Sequence, residues 1–509
     1  MTGVMLLESY LSQVLMKNFP ILFNFILVLS ALYILASIAY FISGSAYGYL
    51  VLLSAIAPLV FLLMRATEAR NFIDNKIRSL VGNPKDYSVY TKSLPGYRFV
   101  DVYNAVSFLC SEPPAWEQVE TQHPESLAQI LNEQFFAEAN RRIKVPERVA
   151  RPISERSEGY FSVDSFWLRA PSVAALVGVV RVRLQDYTHE TILEVGAREQ
   201  GGAEEFIKQV LKRASTHSIF KNKMIEVSFE QEVKDAYGDI ERNEKVDPIF
   251  LDKPPVTDHD IILDEDTRRI IQRTIIDFHE RREDLMKVGL PGRRGVLFYG
   301  PPGTGKTYTC RYISHRLSSA TTVVAAGLSL LHIKSICNIA RMLQPSVVIL
   351  EDVDLVYSAR DRNIYTTALG ELMDELDGFN PEDHIIFILT TNAIDRVEAA
   401  IKERPGRISQ CVYFGAPSAE LRRLYLESML APYDCLRLSM DELTAKTEGV
   451  TQAFLKEIVY RAVQIATESQ PVSAKPLALT NEHFQEGLEE MKRAAGRTGE
   501  AIIGFRVER

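Results

Sequence analysis

Hydrophobic and polar positions change rhythm three times along this chain. From Asn18 to Met64 no residue is charged, a run of about 47 positions and more than twice what one spanning helix needs. The run breaks at Ile42-Ser-Gly-Ser-Ala-Tyr-Gly48, a small-residue turn, leaving Pro20–Phe41 and Tyr47–Met64 as two spans. The pattern predicts a transmembrane helical hairpin over 20–64, preceded by a segment, 1–19, whose first sixteen residues read as an amphipathic surface helix. From 65 to 250 polar and apolar residues mix at shorter periods. Val177–Leu184 and Thr191–Val195 read as strands around Gln185–Thr188, and Met224–Phe229 alternates in the same way. Ala203–Thr216 repeats at helical spacing, with Phe206, Ile207, Val210, Leu211 and Ala214 on one face, and Glu133–Arg142 also reads as helical. A small α+β domain follows, with those three strands in one sheet.

After Pro254-Pro255 the rhythm changes again. Val296–Tyr299, Thr321–Ala326, Ser346–Leu350 and Ile385–Leu389 are apolar or β-branched runs separated by helical stretches, the mark of an α/β unit with a buried parallel sheet over 251–415. Ser418–Met429, Ala453–Thr467 and Asn481–Lys492 then predict a helical lid over 416–495, and 496–509 is a tail.

Charge refines the membrane reading. Lys17 precedes the uncharged run, Arg65, Arg70, Lys76 and Arg78 follow it, and the connecting turn carries none. The positive-inside rule puts both ends, and the domains after them, on the cytoplasmic or matrix side. A single long helix with a re-entrant second half is the variant; a buried soluble hairpin is the competing reading. The expected location is therefore an integral membrane, cytoplasmic or mitochondrial inner. A net charge of −8 gives no basic field for nucleic acid, and five scattered cysteines without a CxxC read as buried apolar residues rather than a disulfide or zinc framework. His189-Glu190 begins a zinc-protease signature but has Leu193 where the second ligand belongs.

The chemistry concentrates at Gly300-Pro-Pro-Gly-Thr-Gly-Lys-Thr307, between an apolar strand and a helix start at Tyr308. This is a P-loop: glycines let backbone N–H groups close on phosphate, and the helix N-terminus adds partial positive charge. Gly300, Pro301, Pro302, Gly303, Thr304, Gly305, Lys306, Thr307 and Tyr308 are the nucleotide-binding candidates, with Lys306 on the phosphates and Thr307 on Mg²⁺. Ser346–Leu350 ends in Glu351-Asp352-Val-Asp354, carboxylates suited to a Mg²⁺ shell and to activating water. Ile385–Thr391 delivers Asn392 to the same edge, and Glu403-Arg-Pro-Gly-Arg407 sets two cations on a rigid turn.

In that order these motifs resemble the AAA ATPase family over roughly residues 255–490. The resemblance implies ATP and Mg²⁺ as cofactors, a homo-oligomeric ring of six or seven, and hydrolysis at subunit interfaces. It assigns Asn392 as sensor, Arg407 as arginine finger with Arg404 the weaker candidate, and Gly449 and Val450 to adenine; an ordinary helix N-cap is the equal reading of that last pair. Glu351 goes to the metal side and Asp352 to the catalytic base, with a shift of one residue left open. Most of the family has Asp-Glu rather than Glu-Asp here, and Gln410 stands where a second finger arginine is usual, so slow hydrolysis is expected. No Phe, Tyr or Trp lies between Thr321 and Pro345, where threading members carry an aromatic grip. With the anchor and the mixed domain, this makes the chain similar to the mitochondrial subfamily that translocates the folded Rieske iron–sulfur protein. The expected function is ATP-driven remodelling, assembly or translocation of a protein client. A nucleotide-gated structural ring is the alternative, and a partner to a separate protease is a minor one. No zinc-protease motif follows the lid.

Overall fold

The computed structural model describes residues 86–503, apart from 112–115, 121–125, 129–146, 170–176, 186–189, 232–243, 253–254, 259, 355–370, 373, 376–377, 379, 396–407 and 470–475. The expected hairpin, the amphipathic segment, the Glu133–Arg142 helix, Arg404 and Arg407 all lie outside the described residues. Among the described residues no helix is long and apolar enough to cross a membrane.

The first unit is a five-stranded antiparallel sheet. Its elements are β1 (Ser88–Pro95), α1 (Phe99–Leu109), β2 (Glu117–Glu120), the ribbon β3 (Arg148–Ser154) and β4 (Ser157–Ser162), β5 (Asp164–Leu168), β6 (Val177–Gln185), β7 (Glu190–Ala197) and α2 (Gln200–Thr216). The sheet order is β1-β7-β6-β5-β2, with β3 and β4 paired apart from it. α1 and α2 bury Phe99, Val102, Val106, Val210 and Ala214 against Val180, Val182, Leu193 and Val195. The expected β6–β7 hairpin and the α2 helix are present.

The second sheet has seven strands: β8 (Met224–Gln231), β9 (Glu244–Phe250), β10 (Arg294–Tyr299), β11 (Thr321–Ala326), β12 (Ser346–Glu351), β13 (Ile385–Thr391) and β14 (Gln410–Tyr413). Their order is β14-β10-β13-β12-β11-β8-β9, all parallel except β9. Here the sequence expectation is corrected. Met224–Gln231 is not in the small sheet but extends the parallel one, pairing Met224 with Thr322, and it brings β9 with it. The division between units therefore falls near Ser218 rather than at 250. Alternation marks a strand but not its partner; Ile225 and Val227 are placed by packing with Val323 and Ile336.

On one face of this sheet lies α7 (Ile333–Met342), reached through the 3-10 turn Gly327–His332. The other face carries α6 (Lys306–Arg316) and a continuous helical run, α3 (Glu265–Ile271), the π-helical turn Gln272–Ile276 and α4 (Asp277–Glu280), followed by α5 (Arg282–Lys287). The lid is α8 (Ala419–Leu430), β15 (Asp434–Arg437), α9 (Met440–Lys446), α10 (Gln452–Ser469), β16 (Ala478–Thr480) and α11 (Asn481–Ile503), closed around Leu426, Leu455, Ile458 and Phe484.

Candidate nucleotide site

Because β10, β12 and β13 run parallel, their C-terminal ends share one edge, where open α/β sheets bind ligands. β10 delivers the Gly-rich loop, β12 delivers Glu351 and Asp352, and β13 delivers Asn392. Gly305, at φ +93°, makes the turn that starts α6, a conformation side chains rarely adopt.

Lys306 is buried, and its Nζ donates to Gly300 O, Pro301 O and Asn392 Oδ1, each at 2.8 Å. Asn392 Nδ2 donates in turn to Asp352 Oδ1 at 2.9 Å. Asn392 is itself fixed by Asp354, whose Oδ1 accepts from Asn392 N at 3.0 Å and from Thr391 Oγ1 at 2.8 Å. Asp352 N donates to Thr390 Oγ1 at 3.0 Å, and its φ of +49° is unusual for a residue with a side chain. Lysine, amide and carboxylate thus form one chain of hydrogen bonds across two neighbouring strand ends. Burial pulls the Lys306 ammonium below its ordinary pKa, and Asp352 and Asp354 oppose the shift without touching it as ion pairs.

Glu351 ends β12 on the other side, half-buried, where its charge adds to the burial that holds the Cys310 thiol well above its usual range. It does not line the cleft, whereas Asp352 does. Two carboxylates one residue apart therefore face different surroundings, and only one meets the space above the loop.

That space is a cleft of about 670 Å³ between the loop and the lid, lined by Pro302, Gly303, Gly305, Lys306, Thr307 and Tyr308 from below. Gly303 O accepts from Ala453 N at 3.0 Å, and a Cβ on Gly303 would stand 2.9 Å from that of Ala453. Only glycine lets loop and lid approach this closely. Gly449 and Val450 do not line the cleft. Val450 is fully buried in the lid core and Gly449 makes a left-handed turn at φ +74°, so neither of the residues expected at the adenine stands on the wall of this cleft. The lid wall is instead Gln452, Ala453, Lys456 and Tyr460 on α10, with Tyr425 and Met429 on α8. Asp260 and Ile262, from the segment before α3, complete it. These residues were missed; their only sequence signal is i, i+4 spacing on helices read simply as lid.

The donor set fits ATP with Mg²⁺. A cation held by three neutral oxygens has no carboxylate among its hydrogen-bond partners, and the Thr307 hydroxyl and Asp352 carboxylate on the cleft are hard oxygen ligands suited to a small divalent ion, whereas Glu351, expected on the metal side, lies off the cleft.

Residues 296–416 match the family model described as ATPase family associated with various cellular activities (AAA). The chain is 32% identical over 231 residues to the ATP-dependent zinc metalloprotease FtsH 2 of Thermoanaerobacter sp. (strain X514), covering 43% of this chain and 44% of that protein. It is 29% identical over 266 residues to the 26S proteasome regulatory subunit 8 homolog B of Arabidopsis thaliana, covering 47% and 61%. It is also 28% identical over 253 residues to the ATPase family protein 2 homolog of Caenorhabditis elegans, covering 47% and 34%. The chain thus spans between about a third and three-fifths of the length of these relatives.

Proposed function

We propose that this chain, which carries an AAA ATPase domain that hydrolyses ATP with Mg²⁺, is a membrane-anchored machine coupling that hydrolysis to remodelling, assembly or translocation of a folded or membrane protein. The observation that carries this reading is the continuous Lys306–Asn392–Asp352 chain beneath a lid bonded directly to the phosphate loop. Bound ATP and Mg²⁺ supply the scissile phosphoanhydride and neutralise charge developing on the phosphates. Lys306 binds the β/γ-phosphates, which displaces its contact with Asn392. Asn392, held by Asp354, is then free to orient a water, and Asp352 takes the proton as that water attacks. Thr307 would hold Mg²⁺ from within the cleft, and Glu351, off the cleft, would act on the metal side from behind it. Any change in the loop reaches the lid through Gly303 and Ala453, and lid movement is the output.

Several features support a remodelling role like that of the Rieske-protein translocase subfamily. β11 passes through one 3-10 turn straight into α7 with no aromatic residue, so a stacked grip on an extended chain has no basis there. The uncharged, apolar sequence of residues 20–64 supports an anchor in a cytoplasmic or mitochondrial inner membrane. Arg407 would complete the neighbouring subunit's site in a ring of six or seven. The second reading, a nucleotide-gated ring with little turnover, draws on Gln410 and on the shorter reach of an aspartate as base.

The test is a trap: full-length Asp352→Asn, crosslinked in native membranes with ATP present. Enrichment of one membrane or exported protein over Lys306→Ala supports a remodelling machine. Recovery of the chain alone, at any ATP concentration, sinks that reading in favour of the self-assembling ring.

A further inference from the structure

Glu351 and Asp352 are adjacent, yet Asp352 lines the nucleotide cleft and Glu351 does not. The backbone between them supplies a reason. β12 pairs with β13 in register from Ser346 opposite Ile385 to Leu350 opposite Leu389, and the pairing stops there. Beyond it a single residue of β13 holds two successive amides. Thr390 Oγ1 accepts from Asp352 N at 3.0 Å, and Thr390 O accepts from Val353 N at 2.9 Å. At this point the chain turns left-handed, with Asp352 at φ +49°. Among the described residues one other residue with a side chain has a positive φ, Asn222 at +59°, just before β8. It is held in the same way. Asn222 N donates at 3.0 Å to Oγ1 of Thr321, the first residue of β11, which is the strand that β8 pairs with.

Thr390 is 1% exposed and stands in line with Ile386 and Ile388, which pack in the core on the α6 face. Its partner across on β10 is Phe298. Valine has the same shape and suits such a strand position without burying a hydroxyl. What the hydroxyl adds is an acceptor for Asp352 N, at the point where the ladder has ended. The strain of a left-handed residue with a side chain and the net worth of one hydrogen bond are of the same order. Loss of that one bond is therefore enough to let Asp352 relax. Its carboxylate then leaves Asn392 Nδ2, which donates to it at 2.9 Å.

We propose that Thr390 is a positioning residue for hydrolysis. Its hydroxyl pins Asp352 N, which keeps Asp352 left-handed and its carboxylate turned into the cleft beside Asn392, while Glu351 stays at the strand end, off the cleft. Thr390 does not line the cleft itself, so it acts on the reaction only through Asp352. A strained conformation at a reacting group, held by a partner on the next strand, is the form such positioning takes. This deepens the reading of Asp352 as the base and rests on it.

The experiment measures single-turnover ATP hydrolysis and equilibrium ATP binding, with Mg²⁺ present, on the full-length chain. It compares wild type with Thr390→Val, Thr390→Ala, Thr390→Ser, Asp352→Asn and the double variant Thr390→Val/Asp352→Asn. Thr390→Val should slow hydrolysis by about tenfold or more, with ATP affinity held within about threefold. Serine and alanine differ by the hydroxyl alone, so Thr390→Ser should stay near the wild-type rate while Thr390→Ala falls with Thr390→Val. In the Asp352→Asn background Thr390→Val should cost nothing further, because the group it positions is gone. Equal slowing by Thr390→Val in both backgrounds, or Thr390→Ser as slow as Thr390→Ala, would mean that Thr390 serves the packing of the sheet, and the proposal falls. Thr390→Val at the full rate sinks it too, while a slow Asp352→Asn leaves the base reading standing. If Asp352→Asn hydrolyses ATP as fast as wild type, the base reading falls and takes the proposal with it.

Discussion

Arg181, in the small sheet, and Lys306, at the edge of the large one, are both buried, and they are treated in opposite ways. Arg181, in the middle of the small sheet, is fully buried and saturated. Its Nε and a terminal nitrogen each donate to Asp164 at 2.7 Å, the other terminal nitrogen donates to Glu194 at 3.2 Å, and the Phe166 ring lies beneath it. Glu194 is tied further, accepting from Leu127 N at 2.8 Å. Burial lowers the pKa of both cations, but for Arg181 the two carboxylates outweigh it and the net shift is upward, whereas for Lys306 burial prevails. Arg181 has nothing left to bind. Lys306 rests on neutral oxygens beside an open cleft, with Asp352 one amide away. A buried charge satisfied by its own chain belongs to the fold, and one held short of its counter-charge belongs to a ligand.

The sharpest test of that contrast is Lys306→Ala. It removes an uncompensated cation, so thermal stability should barely move, while hydrolysis falls by on the order of 10²–10³-fold or more as phosphate binding is lost. Equilibrium nucleotide binding and a melting curve on the same sample check both halves. Arg181→Met should do the reverse. It strands Asp164 and Glu194 together without a cation, destabilising the small domain by about 3–5 kcal/mol, with nucleotide affinity unchanged in whatever remains folded. Adding Asp164→Asn and Glu194→Gln should recover much of the loss. If Arg181→Met instead left stability intact and impaired nucleotide binding, the division of the two cations would be wrong.

Asp352→Asn comes next in size. The amide keeps the size and most contacts of the carboxylate but cannot take a proton. Turnover should drop by about 10²-fold with ATP affinity held within a few-fold, measured by single-turnover hydrolysis. Glu351→Gln, against α6 rather than in the cleft, should act instead through the Mg²⁺ concentration needed for half-maximal rate. If the two variants exchange these phenotypes, the base and metal-side assignments exchange with them.

How much of this was legible beforehand follows from range. The phosphate loop, the acidic strand end and Asn392 are local patterns whose chemistry needs adjacent residues, and they appear together at one edge because parallel order is itself readable from short apolar runs. Which sheet Met224–Gln231 joins is a long-range matter, decided by the partners of Ile225 and Val227 rather than by their alternation. A glycine turn before a helix is common to binding loops and plain N-caps, so the sequence left Gly449 and Val450 equally open to both, and the burial of Val450 is a matter of lid packing that it does not display.

Another buried ionisable group, at the joint between the two units, puts the comparison on a pH axis. Asp101, on α1, accepts from Ser218 Oγ at 2.6 Å and from Ile219 N at 2.8 Å, where the chain leaves the small domain for β8. Burial raises its pKa to about 6; the Ser218 and Ile219 bonds and the nearby Arg98 only partly oppose this, and Tyr97 is the other titratable neighbour. The folded chain therefore binds more protons than the unfolded chain between about pH 4 and 6. Stability contributed here is present below that window and lost as pH rises through it, with a ceiling of about 3 kcal/mol and less as the joint relaxes. Asp101→Asn is neutral throughout, so the difference in denaturation midpoint between wild type and variant should shift in the variant's favour from pH 4 to pH 7 and then stay constant. A difference that ran the other way would mean Arg98 satisfies Asp101 as fully as Asp164 and Glu194 satisfy Arg181. Asp101 would then be a satisfied part of the fold rather than a charge held at a cost where the two units join.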